Sequence, residues 1–128
     1  MRKIYLYTQD RGKALQISAI AMSQKIGFEQ LSPRNLGQTV GSIAGTPKSA
    51  VKNTADSGVK GPIPLFYNMP EVLLMDGLAG PDLDAFLSAV NFTLSQPIKI
   101  KSVITPYNAA WTLYELIEHV KKEADMLG

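Results

Sequence analysis

The side chains able to do chemistry in this chain are few. His119 is its single histidine, four residues from both Glu115 and Glu123. On a helix that spacing stacks an imidazole between two carboxylates along one face. Such a stripe is a conceivable cation ligand set, but on a solvent-facing helix it more often forms a solvated ladder of ion pairs, and we expect no metal site and no cofactor. Asp82 and Asp84 are the nearest thing to paired carboxylates for acid–base work. Their place just behind Pro81 suits the positive end of a helix dipole instead. Cysteine is absent, which excludes disulfides, thiolate zinc sites and thiol nucleophiles. No serine can be matched with His119 and an acid as a triad. Gly45-Thr46-Pro47-Lys48-Ser49 fails as a phosphate loop, because Thr46 and Pro47 separate Gly45 from Lys48 and the preceding segment is helical. No catalytic set can be named, which leans against an enzyme.

One constellation could hold a ligand. Lys101, Thr105, Asn108 and Trp111 lie within eleven residues, where a basic β-branched strand meets Thr-Pro and a helix follows. Asn35 sits in a matching turn earlier in the chain. In Ser32-Pro33-Arg34-Asn35 and Thr105-Pro106-Tyr107-Asn108, proline stops a strand and holds the residue before it extended. Asn is then placed to cap the next helix. If both turns lie at the carboxyl edge of a parallel sheet, two helix N-termini and Lys101 form a crevice for a small anionic ligand. The structural alternative is that both motifs only end strands and start helices. Trp111 is then a packing anchor rather than an exposed platform.

The elements that must position these residues are legible from periodicity. Lys3–Tyr7 reads as a strand. Lys13–Ile26 reads as a helix capped by Asp10 and ended by Gly27 as a left-handed cap. Phe28–Leu31 is a second strand, and Leu36–Ala44 a short helix capped by Asn35 and interrupted by Gly37 and Gly41. Glu71–Met75 is the most apolar strand. A helix with Leu83, Phe86, Leu87, Val90 and Leu94 on one face follows Pro81. Ile98–Ile104 is the fourth strand, with Lys101 and Val103 on one face and Ser102 and Ile104 on the other. The last helix runs from Ala109 to about Met126, with Glu118 and Lys122 in the stabilising order. Residues 45–64, rich in Gly, Ser, Thr, Lys and Pro, read as one long mobile loop.

The order is therefore strand–helix–strand–helix, a loop, and strand–helix–strand–helix again. Recurrence of [ST]-P-x-N at the same structural point suggests an internal repeat of a βαβα unit. The expected fold class is α/β: two βαβα halves forming one mainly parallel four-stranded sheet with flanking helices, in a single domain over 1–128. The alternative is an α+β ferredoxin-like sheet.

Composition bounds the partners. Apolar residues make up 45% of the 128, enough for a core. Residues 1–61 hold nine Lys and Arg against three Asp and Glu, and residues 62–128 hold four against eight. A molecule split into basic and acidic parts suits a protein partner or a homo-oligomer. The cations are not interleaved with aromatics, which argues against nucleic acid. Met1-Arg2-Lys3-Ile4-Tyr5 lacks the apolar core of a signal peptide, and no run reaches the length of a membrane span. A cytoplasmic location away from the membrane is expected. The leading functional expectation is a non-enzymatic interaction or self-association module. The alternative is a sensor or enzyme for an anionic ligand at the Thr-Pro-x-Asn turn.

Lys101-Ser102-Val103-Ile104-Thr105-Pro106, with Asn108, Trp111 and the Leu113, Leu116 and Glu123 helix, resembles a bacterial family catalogued as a domain of unknown function. Val72-Leu73-Leu74-Met75-Asp76-Gly77-Leu78 with Leu83, Asp84 and Leu87 is similar to it too, so the resemblance spans roughly 70–126. Ser102 stands where alanine is expected. The resemblance implies no activity.

Overall fold

Two runs of β-branched, aromatic and aliphatic residues take the centre of the sheet. They are β1 (Lys3–Tyr7) and β3 (Val72–Asp76), and their inner residues are buried on both faces. The shorter and more polar β2 (Gly27–Gln30) and β4 (Ile100–Val103) take the edges, giving the order β2-β1-β3-β4. This computed structural model describes residues 2–45 and 62–127, so the loop expected at 45–64 falls, over 46–61, outside the described residues. The fold is α/β as expected, with one mixed, mostly parallel sheet alternating with helices. β1 pairs with β2 and β3 with β4 in parallel, whereas β1 and β3 pair antiparallel about Tyr5 and Leu74. Each parallel pair needs a crossover, and a helix supplies each one: α1 (Arg11–Ser23) and α3 (Gly80–Thr93).

Described residues fall into two compact units. One comprises Met1–Leu31 with Pro70–Val103, and the other Ser32–Met69 with Ile104–Gly128. In the sheet unit, Ile4, Leu6, Leu73 and Met75 form one face. They pack with Ala14, Ile17 and Ala21 of α1 and Phe86 and Val90 of α3 in one apolar cluster. Each such buried aliphatic or aromatic side chain is worth about 1.5–3 kcal/mol over its exposed state, more than any surface ion pair here. Tyr5, Val72 and Leu74 point the other way and are also buried.

The ends of α1 follow local chemistry. Asp10 Oδ1 accepts from the Lys13 N–H at 3.1 Å, the expected cap. The C-terminus differs from expectation. Lys25, not Gly27, takes the left-handed conformation, with φ 59°. Ile26 N–H donates to Ala21 O at 2.8 Å and Lys25 N–H to Met22 O at 3.1 Å, closing a Schellman motif. Ile26 and Ala21 are both buried in the cluster, so burying Ile26 one step beyond the turn forces Lys25 into that conformation. Gly27 is then released to open β2.

In the second unit, α2 (Val40–Ala44) and α4 (Leu113–Leu127) each follow a short 3-10 helix, at Pro33–Gly37 and Asn108–Ala110. The expected helix Leu36–Ala44 is broken after Gly37, one of its two expected interruptions, but runs through Gly41, the other, and the expected single helix Ala109–Met126 is broken before Leu113. Each 3-10 helix packs on the α-helix from the other end of the chain. Leu36, Val40, Leu113, Leu116 and Ile117 are buried here. No helix among the described residues is long and apolar enough to cross a membrane.

Candidate functional site

The two Pro-x-Asn turns close on themselves. At the first, Asn35 Oδ1 accepts from the Ser32 N–H at 2.8 Å, and Asn35 Nδ2 donates to Gln38 Oε1 at 2.8 Å. At the second, Asn108 Oδ1 accepts from the Thr105 N–H at 2.9 Å and Thr105 Oγ1 from the Asn108 N–H at 3.1 Å. The Ala109 N–H goes to Thr105 O at 3.0 Å. These are reciprocal capping interactions of the 3-10 helices. Neither Asn caps the α-helix that follows. That task falls to Thr39, which accepts from the Ser42 N–H at 3.2 Å, and to Thr112. Thr112 and Glu115 form a capping box at 3.1 Å in both directions.

The two threonines meet in an antiparallel bridge. Val40 N–H donates to Trp111 O at 2.8 Å, and Leu113 N–H to Gln38 O at 2.9 Å. The first-turn N–H groups that a helix start leaves without partners are thus used partly by the neighbouring turn. The Trp111 backbone belongs to this joint. Its half-buried ring lies 4.8 Å from the His119 ring, tilted by 55°. His119 Nε2 lies 2.9 Å from Glu123 Oε1, while Glu115 is turned to the capping box. Among the described residues no group of three or more His, Asp or Glu side chains could hold a metal ion.

Of the residues singled out from sequence, Asn35, Thr105, Asn108 and Trp111 all fall in the second unit. Lys101 belongs to the sheet unit, on the edge strand β4, level with Leu73. The two strands that lead into the turns do not end at one edge. Because β1 and β3 are antiparallel, β2 and β4 run in opposite directions, and their carboxyl ends lie at opposite ends of the sheet. The shared carboxyl edge expected for the two turns does not form.

Two polar groupings escape a sequence reading. The first is at the start of α1. Lys13 Nζ lies 2.8 Å from Glu71 Oε1, with the Lys13 side chain only 9% exposed. The Thr8 hydroxyl donates to the other Glu71 oxygen and accepts from the Asp10 N–H at 3.0 Å. A pocket of about 480 Å³ opens beside it, lined by Asp10, Gly12, Lys13, Gln16, Leu94, Ser95 and Gln96. The available signal was that Lys13 falls on the buried stripe with Ile17 and Ala21, where an unpaired ammonium is costly.

The second grouping holds the segment before β3 onto α4. The Tyr67 hydroxyl donates to Glu118 Oε2 at 2.7 Å, and its ring meets Tyr114 edge-on at 5.0 Å. Lys121 Nζ stands 5.3 Å over that ring and 3.0 Å from Glu118. Glu118 therefore pairs with Lys121 rather than with the expected Lys122. Burial, and then donation to Glu118, push the Tyr67 phenol far above its ordinary range. Burial alone would raise Glu118, but the Tyr67 hydroxyl and the Lys121 ammonium outweigh it and hold the carboxyl below its ordinary value.

Residues 71–127 match the model of a family described as a domain of unknown function (DUF3783). The match begins one residue before β3 and ends with α4, taking in α3, β4 and the second Pro-x-Asn turn. No curated protein and no solved structure matches the chain.

Proposed function

We propose that this chain, whose second half matches a family with no activity assigned, is a non-enzymatic protein-interaction module that works by self-association. One observation carries the reading. On the outer side of the α1 and α3 layer, Leu15, Met22 and Phe92 are 71%, 77% and 93% exposed. Single exposed apolar residues are ordinary, but several large ones on one helical layer mark a contact surface. Light scattering after size exclusion, over a range of protein and salt concentrations, tests it. A molar mass that rises with protein concentration is expected. A strict monomer throughout removes self-association.

The second reading is a small anionic ligand at the Thr-Pro-x-Asn turn of the second unit, held by Thr105, Asn108 and Trp111. It draws support from the residue types of the turn. Against it, the Thr105 and Asn108 N–H groups already donate within the turn. Thermal unfolding with phosphate and small carboxylates decides. A stabilisation present in wild type and lost in Asn108→Ala would revive it.

We also propose that the two halves descend from one repeated unit. In support, both halves run strand, helix, strand, 3-10 helix, α-helix, in the same order. Thr39 and Thr112 follow their turns at the same spacing, four residues beyond Asn35 and Asn108. Relatives carrying the first-half turn at unrelated positions would sink this idea.

A further inference from the structure

We infer that the outer face of α1 and α3 is an isologous interface, and that its occupant is a second copy of this chain. The inference rests on the self-association reading and names its surface and geometry. α1 and α3 lie antiparallel. At one end Gln24 Nε2 donates to Ala85 O at 3.4 Å, and at the other Gly12 and Gln16 share a pocket with Leu94 and Gln96. The charges on the two helices are sorted by sign. α1 contains only Arg11 and Lys13, with Lys25 just after it, while α3 contains only Asp82 and Asp84. Lys13 is committed to Glu71 and Asp82 to Arg2, at 2.8 and 3.4 Å, so the exposed charges of the two helices and their ends that lie outside these pairs are Arg11, Lys25 and Asp84.

The apolar side chains are sorted by size in a compatible way. α1 presents Leu15 near the pocket end and Met22 near the Gln24 end, both exposed. α3 presents a stripe of Ala85, Ser88 and Phe92, all exposed, with the large ring at the pocket end and the small residues at the other. A two-fold axis running along the helices lays α1 of each copy on α3 of the other at the same height. Leu15 then meets Phe92, and Met22 fills the low ground between Ala85 and Ser88. Lys25 faces Asp84. Every contact occurs twice, as closed two-fold symmetry requires. A face with one basic and one acidic helix is complementary to itself, which a partner of a single charge sign would not satisfy.

Charge reversal tests the pairing in the full-length chain. Lys25→Glu puts two like-charge contacts into its own homodimer, and Asp84→Lys does the same. An equimolar mixture of the two variants restores opposite charges at both contacts of the mixed dimer. Each variant alone, with an unchanged melting temperature, is expected to weaken association at low salt by about tenfold. The mixture is expected to recover the wild-type molar mass. If wild type associates but the reversals leave it unchanged, or the mixture fails to recover, this interface is wrong while self-association stands. If wild type stays monomeric at every concentration, both fall, and the face belongs to a different protein.

Discussion

Removing the Glu71 carboxylate would leave the Lys13 ammonium, 9% exposed, without its ion-pair partner. A cation in that position cannot recover its hydration, so loss of the partner costs more than the pair contributes. Glu71 is itself about a third exposed (32%), which lowers the penalty below that of a fully buried pair. Glu71→Ala is expected to cost about 2–3 kcal/mol, read from the urea midpoint. Lys13→Met with Glu71→Leu is expected to return to within about 1 kcal/mol of wild type. A double variant as unstable as Glu71→Ala would mean that packing, not charge, is what the site needs. Asn108 poses a related question. It is 7% exposed, and its carboxamide oxygen holds the Thr105 N–H. Asn108→Ala should cost about 1–2 kcal/mol, and Asn35→Ala, in the more open first turn, about 0.5–1 kcal/mol. Equal costs would argue that burial of the turn does not matter.

The Tyr67 clamp ties the segment before β3 to α4 through two titratable groups whose shifts point in opposite directions. Glu118 is held below its ordinary value of 4.5. Its contribution is complete above that value and lost as pH falls through the lower, folded-state pKa. Tyr67 is held above its ordinary value of 10.0. Its contribution is complete below pH 10.0 and lost as pH rises towards the folded-state pKa. Stability measured against pH should therefore fall at both ends. Glu118→Gln should flatten the acid limb and Tyr67→Phe the alkaline one. If Tyr67→Phe leaves the alkaline limb unchanged, the hydroxyl does not carry that dependence. At this scale much was readable in advance. Asp10 caps α1, β2 and β4 end shortly before Pro33 and Pro106, and Phe86 and Val90 mark the inner face of α3. Gly37 marked an interruption of the first helix, but the 3-10 geometry of the two turns was not readable. Leu36 and Ala109 fit a helical stripe whichever way the turn before them closes. Only the reciprocal bonds of Asn35 and Asn108, and the competing caps at Thr39 and Thr112, settle where each α-helix starts.

Across the molecule, strand position governs protection. The β1 and β3 strands pair on both sides, while among the described residues β2 and β4 each pair on one side only. Hydrogen exchange should be slowest at Tyr5 and Leu74, near the centre of the antiparallel pair, and faster along β2 and β4. Comparable protection at the edges would indicate that another chain covers them, and would bear directly on self-association. Composition and periodicity determined four strands, four helices, their order and the most buried strand, because each of these depends on neighbours a few residues away. The apolar set of α1 and its cap at Asp10 are local facts of that kind. The candidate site was legible only as residue types. Lys101, Thr105 and Asn108 are ligand-like in a list, yet in the fold the turn's own N–H groups hold the oxygens of Thr105 and Asn108. Strand direction was decided by tertiary structure alone. An alternating pattern reads the same forwards and backwards, so nothing within Lys3–Tyr7 or Val72–Asp76 tells whether they pair parallel or antiparallel. The choice is made where Lys3 meets Asp76 and Tyr7 meets Val72 across the sheet, and it sends the carboxyl ends of β2 and β4 to opposite ends.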